Sequence, residues 1–135
     1  MSASILLIDD DKFFLKILTD AFELAGHTVY AAKDGASGVK LFFDLDPDVV
    51  ISDLIMPGMG GVSTCMEISR LSASLDRNPI TILLTSMFQE PPHEHQVAEM
   101  GAKVHLPKNT KPVDVVIIVE QLLERKRLSQ PLPGQ

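Results

Sequence analysis

With 135 residues, 45% hydrophobic and 22% charged, the chain has the makeup of a single globular domain able to bury its own core. A formal net charge of −6 argues against nucleic acid and anionic membrane as direct partners. One cysteine, Cys65, excludes an internal disulfide, and no apolar run approaches membrane-spanning length.

The N-terminus enters a strand pattern at once, without a basic segment and apolar signal core, so a cytoplasmic protein is expected. Ser4 to Ile8 is a continuous apolar run that meets Asp9-Asp10-Asp11. Asp11 stands where a helix N-cap belongs, ahead of a helix expected over 12–25. Phe14, Leu18, Ala21 and Ala25 mark its buried face by their spacing, and Gly26 stops it. Thr28 to Ala32 reads as a second strand. Asp34-Gly35 reads as a turn, and Ala36 to Phe43 as a helix with Val39 and Phe43 inward. Asp46-Pro47 ends that helix, because the residue before proline resists the helical conformation.

Val49-Val50-Ile51 reads as a strand covered on both faces, and Asp53 follows at its carboxyl end, before a Pro/Gly-rich turn. Val62, Cys65 and Ile68 have the spacing of the buried side of a third helix, with Cys65 a packing residue. Ser72-Ala73-Ser74 and Asn78-Pro79 mark a loop. Ile80 to Leu84 is a fourth strand ending at Thr85. Pro91-Pro92 permits a short helix to about Met100, which Gly101 stops. Residues 103–107 form a fifth strand, followed by Lys108. Thr110 is the expected N-cap of a last helix reaching about Leu128, with Val115, Val119 and Leu122 inward and Ile117 outward. The domain should therefore run over 4–128, with a flexible tail over 129–135. Five strand–helix alternations imply an α/β fold: a doubly wound parallel sheet with helices on both faces.

All carboxyl ends of a parallel sheet share one edge, where α/β proteins bind ligands. Asp9, Asp10, Asp53, Thr85 and Lys108 all belong to such ends. Adjacent carboxylates repel unless a cation sits among them, and oxygen ligands suit magnesium. A cation, an ammonium and a hydroxyl together suit a phosphoryl group, and a carboxylate can be its acceptor.

Leu-Leu-Ile-Asp-Asp-Asp, Pro-Asp-Val-Val-Ile-Ser-Asp-Leu-Ile-Met-Pro-Gly-Met-Gly-Gly, Ile-Leu-Leu-Thr-Ser and Gly-Ala-Lys-Val-His-Leu-Pro-Lys resemble the receiver domain of bacterial two-component response regulators. The resemblance covers residues 4 to 126 or so and implies a flavodoxin-like fold of sheet order 2-1-3-4-5. By it, Asp53 matches the phosphoacceptor, Asp10 a direct Mg2+ ligand and Asp9 the acid that holds the metal through water. By the same resemblance, the backbone carbonyl of Ile55 would be a further metal ligand. Thr85 matches the switch hydroxyl and Lys108 the lysine that pairs with Asp53 or its phosphate. The implied donor is a phosphohistidine on a sensor histidine kinase or a histidine phosphotransfer protein, or a small phosphodonor. The output is altered partner binding, through a homodimer or effector contact on the fourth helix, fifth strand and last helix. The chain should be a stand-alone receiver or one excised from a longer protein.

Several positions depart from that pattern. Asn109 replaces the usual proline after the lysine, so the Lys108–Asn109 bond should be either trans with a shifted loop or a strained cis bond costing about 2.5–4 kcal/mol. His105 replaces the usual Tyr or Phe of the switch. Ile55 and Met87 flank the implied path of the attacking water, and their bulk should slow self-dephosphorylation. His93 and His95, at i and i+2, do not face one another on a helix and suggest no metal site. Two other readings compete: a non-phosphorylated, receiver-like scaffold, and an aspartyl-phosphate hydrolase built on the Asp-x-Asp at 9–11.

Overall fold

The computed structural model describes residues 2–53, 60–85, 101–102 and 104–130. Within them the elements are β1 (Ser4–Ile8), α1 (Lys12–Leu24), β2 (Thr28–Ala32), α2 (Gly35–Leu45), β3 (Val49–Asp53), α3 (Gly61–Ser74), β4 (Ile80–Thr85), β5 (Val104–Pro107) and a C-terminal helix, α4 (Pro112–Ser129). The five strands form one parallel sheet of order β2-β1-β3-β4-β5. The order expected from the resemblance is thus observed. The short fourth helix expected near residue 91 lies outside the described residues.

The inner strands are mostly apolar and buried because both their faces are covered. Ile5, Leu7, Val49, Ile51, Ile82 and Leu84 pack against Leu15, Leu18 and Phe22 of α1 and Val115, Val116 and Val119 of α4. Leu6, Ile8 and Val50 face the other way, against Phe42 of α2 and Ile68 of α3. Neighbouring side chains on a strand point to opposite faces, so β1 and β3 feed both clusters, while Leu83 of β4 turns to Cys65 of α3. Gly38 lets α2 approach β1: a Cβ there would lie 2.5 Å from Cδ1 of Ile8.

Several expected details are corrected. On α1, Leu15 and Phe22 join Leu18 in the core, while Ala25 is exposed and caps the helix end. On α2, Phe42 is fully buried and Phe43 is 52% exposed. On α3, Thr64 is buried beside Cys65 and Ile68, whereas Val62 is exposed. Ser72 to Ser74 belongs to α3 and is not loop. Asp34 is the N-cap of α2, its side chain accepting from the Ser37 N–H. Lys111, not Thr110, is the N-cap of α4, while the Thr110 hydroxyl donates to the Pro107 carbonyl. Val115, Val119 and Leu122 do face inward on α4, and Ile117 is exposed.

Candidate functional site

Strand register brings the expected residues to one edge. Ile8 pairs with Ser52, so Asp9 comes beside Asp53 one step further along. Asp53 pairs with Leu84, and Thr85 pairs with Pro107, so Thr85 and Lys108 close the row. The Asp9 N–H donates to the Ala32 carbonyl at 3.0 Å, which holds Asp9 in line with β1. One carboxylate oxygen from each of Asp9, Asp10 and Asp53 lies within 4.8 Å of the others. Asp9 and Asp53 are buried, and Asp10 is exposed.

Lys108 reaches into this cluster. Its Nζ lies 3.2 Å from Asp53 Oδ2, 3.1 Å from Asp9 Oδ1 and 2.9 Å from Asp9 Oδ2. The hydrogen bond to Asp9 is directed at Oδ1, which also accepts from the Asp11 N–H at 2.9 Å. Asp9 Oδ2 is therefore within ion-pairing range of the ammonium, yet it is buried without a directed donor. Burial pushes the Asp9 carboxyl above the usual range, against the opposing pull of the Asp11 N–H and Lys108. Burial works to lower the proton affinity of Lys108, but the hydrogen bond and charge of Asp9 and the charge of Asp53 outweigh it, and its pKa is raised. Among the described residues no peptide bond is cis, so the Lys108–Asn109 bond is trans, and the lysine nevertheless reaches Asp53.

The Thr85 hydroxyl donates to the Leu106 carbonyl on β5 at 3.3 Å, and the Lys108 N–H donates to the Thr85 carbonyl at 2.8 Å. His105 is half-buried on the edge strand beside Leu83. Ile55 and Met87 lie outside the described residues. Asp11 caps α1 as expected, accepting from the N–H groups of Phe13 and Phe14. Phe14, read from the sequence as a packing residue, also carries the Lys108 ammonium over its ring, 4.8 Å from the centroid. No local sequence pattern relates positions 14 and 108; only the shared sheet edge does. Cys65 is buried as expected, and its burial pushes the thiol pKa up to about 12 despite a hydrogen bond with Ser52.

The donor set fits a hard divalent cation. It offers three carboxylates within reach of one another and one buried carboxylate oxygen lacking a directed donor. Among the described residues, no helix is long and apolar enough to cross a membrane.

Comparison with known proteins agrees with this architecture. The family model of the response regulator receiver domain matches residues 5–120. The DNA-binding dual master transcriptional regulator RpaA of Synechocystis sp. (strain ATCC 27184 / PCC 6803 / Kazusa) is 32% identical over 123 residues, covering 91% of this chain and 47% of the relative. The chain thus spans about half the length of that curated relative. A solved response regulator receiver domain protein from Clostridium thermocellum is 27% identical with a TM-score of 0.78, covering 95% of this chain and 99% of the other. The chemotaxis protein CheY4 of Vibrio cholerae, at 22% identity and a TM-score of 0.78, covers 90% of this chain and 98% of its own and shares the fold. The chain belongs to the response regulator receiver domain family and is a signalling module of two-component systems.

Proposed function

We propose that Asp53 is the phosphoacceptor of this receiver, taking a phosphoryl group from a phosphohistidine on a sensor histidine kinase or a histidine phosphotransfer protein. A carboxylate oxygen of Asp53 attacks phosphorus, and an acyl phosphate forms. The P–N bond breaks, and its electron pair stays on the imidazole nitrogen. The observation that supports this reading most is the Lys108 ammonium, 3.2 Å from Asp53 and shared with Asp9. It neutralises charge where the phosphoryl oxygens arrive.

Asp10, Asp53 and the Ile55 carbonyl would hold Mg2+ directly, and Asp9 through water. When bound, the ion adds further positive charge to the phosphoryl oxygens. Thr85 turns from the Leu106 carbonyl to donate a hydrogen bond from its hydroxyl to a phosphoryl oxygen. That movement releases a link between β4 and β5, and His105 turns inward in response. The altered face, on β5 and α4, then meets an effector or a second copy of the chain; the exposed Val113 and Ile117 contribute to it. Water ends the signal by attacking phosphorus, which returns the Asp53 carboxylate and inorganic phosphate. The resemblance would set Ile55 and Met87 beside the path of that water, and their bulk should make the step slow. The receiver occupies residues 4–128, with a tail at 129–135, and works in the cytoplasm.

The test is incubation with Mg2+ and a small phosphodonor, or with the kinase, read by intact mass. Wild type should gain one phosphoryl group and Asp53→Ala none. An equal gain in both, or none in either with both donor types, rejects the assignment.

A further inference from the structure

We propose that Phe14 is a positioning residue for Lys108, its ring holding the ammonium at Asp53 through a cation–π contact. The proposal rests on the role assigned to Lys108 above. Lys108 follows the edge strand at a turn, and its long side chain is 25% exposed. Such a side chain has many rotamers, and holding it against Asp9 and Asp53 costs entropy that a further contact offsets. Its backbone N–H donates to the Thr85 carbonyl at 2.8 Å. Asn109 follows it, so no proline ring fixes the next φ.

Phe14 supplies a further contact from across the crevice. Its ring packs on the cluster that includes Leu15, Leu18 and Val115. Its N–H is tied to Asp11 at 3.2 Å, and the Asp11 N–H is tied to Asp9 at 2.9 Å. One short segment thus places both the carboxylate that binds the ammonium and the ring beneath it. The ammonium lies 4.8 Å from the ring centroid, inside the range where the negative face of the ring attracts a cation. The attraction is broad in angle, so the ring can keep the charge in the crevice as its hydrogen bonds move from carboxylates to phosphoryl oxygens. An aliphatic side chain of similar size would fill the same space without attracting the charge.

The experiment compares wild type, Phe14→Leu, Phe14→Tyr and chains carrying mono-, di- and trifluorinated phenylalanine at position 14. Each is assayed for the rate of Asp53-dependent phosphorylation by a small phosphodonor with Mg2+. Phe14→Leu should lower the rate about three- to tenfold, and Phe14→Tyr should recover it. The fluorinated series should fall stepwise as the ring face loses negative charge while its shape is kept. In the NMR spectrum of the unphosphorylated protein, the Lys108 ε-methylene protons should be shifted upfield by the ring and return to the ordinary position in Phe14→Leu. Equal rates across the fluorinated series, or an ordinary Lys108 resonance in wild type, overturns the proposal. If wild type gains no Asp53-dependent phosphate, the phosphoacceptor reading fails, and the Lys108 resonance still decides whether Phe14 holds the ammonium.

Discussion

Lys108 Nζ lies 3.2 Å from Asp53 Oδ2 across a trans Lys108–Asn109 peptide, with no proline following the lysine. The same ammonium bridges Asp9, so the two buried carboxylates share one counter-charge. Removing the lysine leaves both without it. Lys108→Ala should therefore lower the melting temperature of the metal-free protein, and Mg2+ should restore part of the loss by supplying positive charge. Melting curves with and without Mg2+ check this; an unchanged melting temperature in metal-free buffer contradicts it.

Asp9 has a folded-state pKa raised above 3.8 by burial. The unfolded chain therefore releases this proton first as pH rises. The contribution of Asp9 to stability is most favourable below the usual carboxylate range and is lost as pH rises through the raised folded value. Asp9→Asn, which cannot ionise, should melt higher than wild type near neutral pH without metal and show a weaker loss of stability with rising pH over that window. It should also lose most of the stabilisation by Mg2+. A variant that melts lower at neutral pH runs against this.

Cys65 is buried, and its thiol pKa stands at about 12. The thiolate is the reactive form, so an alkylating reagent at neutral pH should leave the native protein unlabelled and label it readily in denaturant. The sign of the linkage is also set. The folded thiol holds its proton after the unfolded one, near 9.0, has released it, so stability falls as pH rises from about 9 toward about 12. Cys65→Ala should remove this part of the alkaline loss. Rapid labelling of the native chain by mass spectrometry would contradict the first expectation.

Gly38 faces Ile8 with no room for a methyl group. Gly38→Ala should cost about 1–3 kcal/mol, because Ile8 is fully buried and cannot move aside without disturbing the second cluster. Ile8→Val removes the Cδ1 atom that would lie 2.5 Å from the new carbon. The double variant should be more stable than the sum of the two single changes allows, by urea unfolding. Strict additivity would mean that α2 shifts as a body instead.

Arg77 closes the end of α2. Its guanidinium donates to the carbonyls of Phe42 at 2.7 Å and Phe43 at 3.0 Å and stacks over the Phe42 ring. The Phe42 carbonyl also accepts from the Asp46 N–H, so the guanidinium adds a second donor there, and positive charge suits that helix end. Arg77→Ala should cost about 1.5–3 kcal/mol, and Arg77→Lys should recover only part, since one ammonium cannot reproduce the planar fork. Full recovery by lysine in chemical denaturation would assign the effect to charge alone.

The two phenylalanines beside Arg77 also show where sequence reading stops. A helical spacing permits either Phe42 or Phe43 to be the inward residue, and packing against Leu6, Ile8, Val50 and Ile68 selects Phe42. The same holds for Val62 on α3, which the pattern turns inward and the packed helix leaves exposed. Thr110 looks like a helix cap by residue type, but its hydroxyl is taken by the Pro107 carbonyl, and the helix begins past it.

What the sequence determined by itself was the alternation of strands and helices, the doubly wound class and the row of Asp9, Asp10, Asp53, Thr85 and Lys108. Short unbroken apolar runs mark strands covered on both faces, and residues just after such runs must share one edge of a parallel sheet. Only the tertiary structure decided how those residues touch. It brings the Lys108 ammonium between Asp9 and Asp53 and over the Phe14 ring. Those contacts join the first strand end to the last across 99 and 94 residues of chain, and nothing local encodes them. They come from the packing of α1 and α4 on the same face of the sheet.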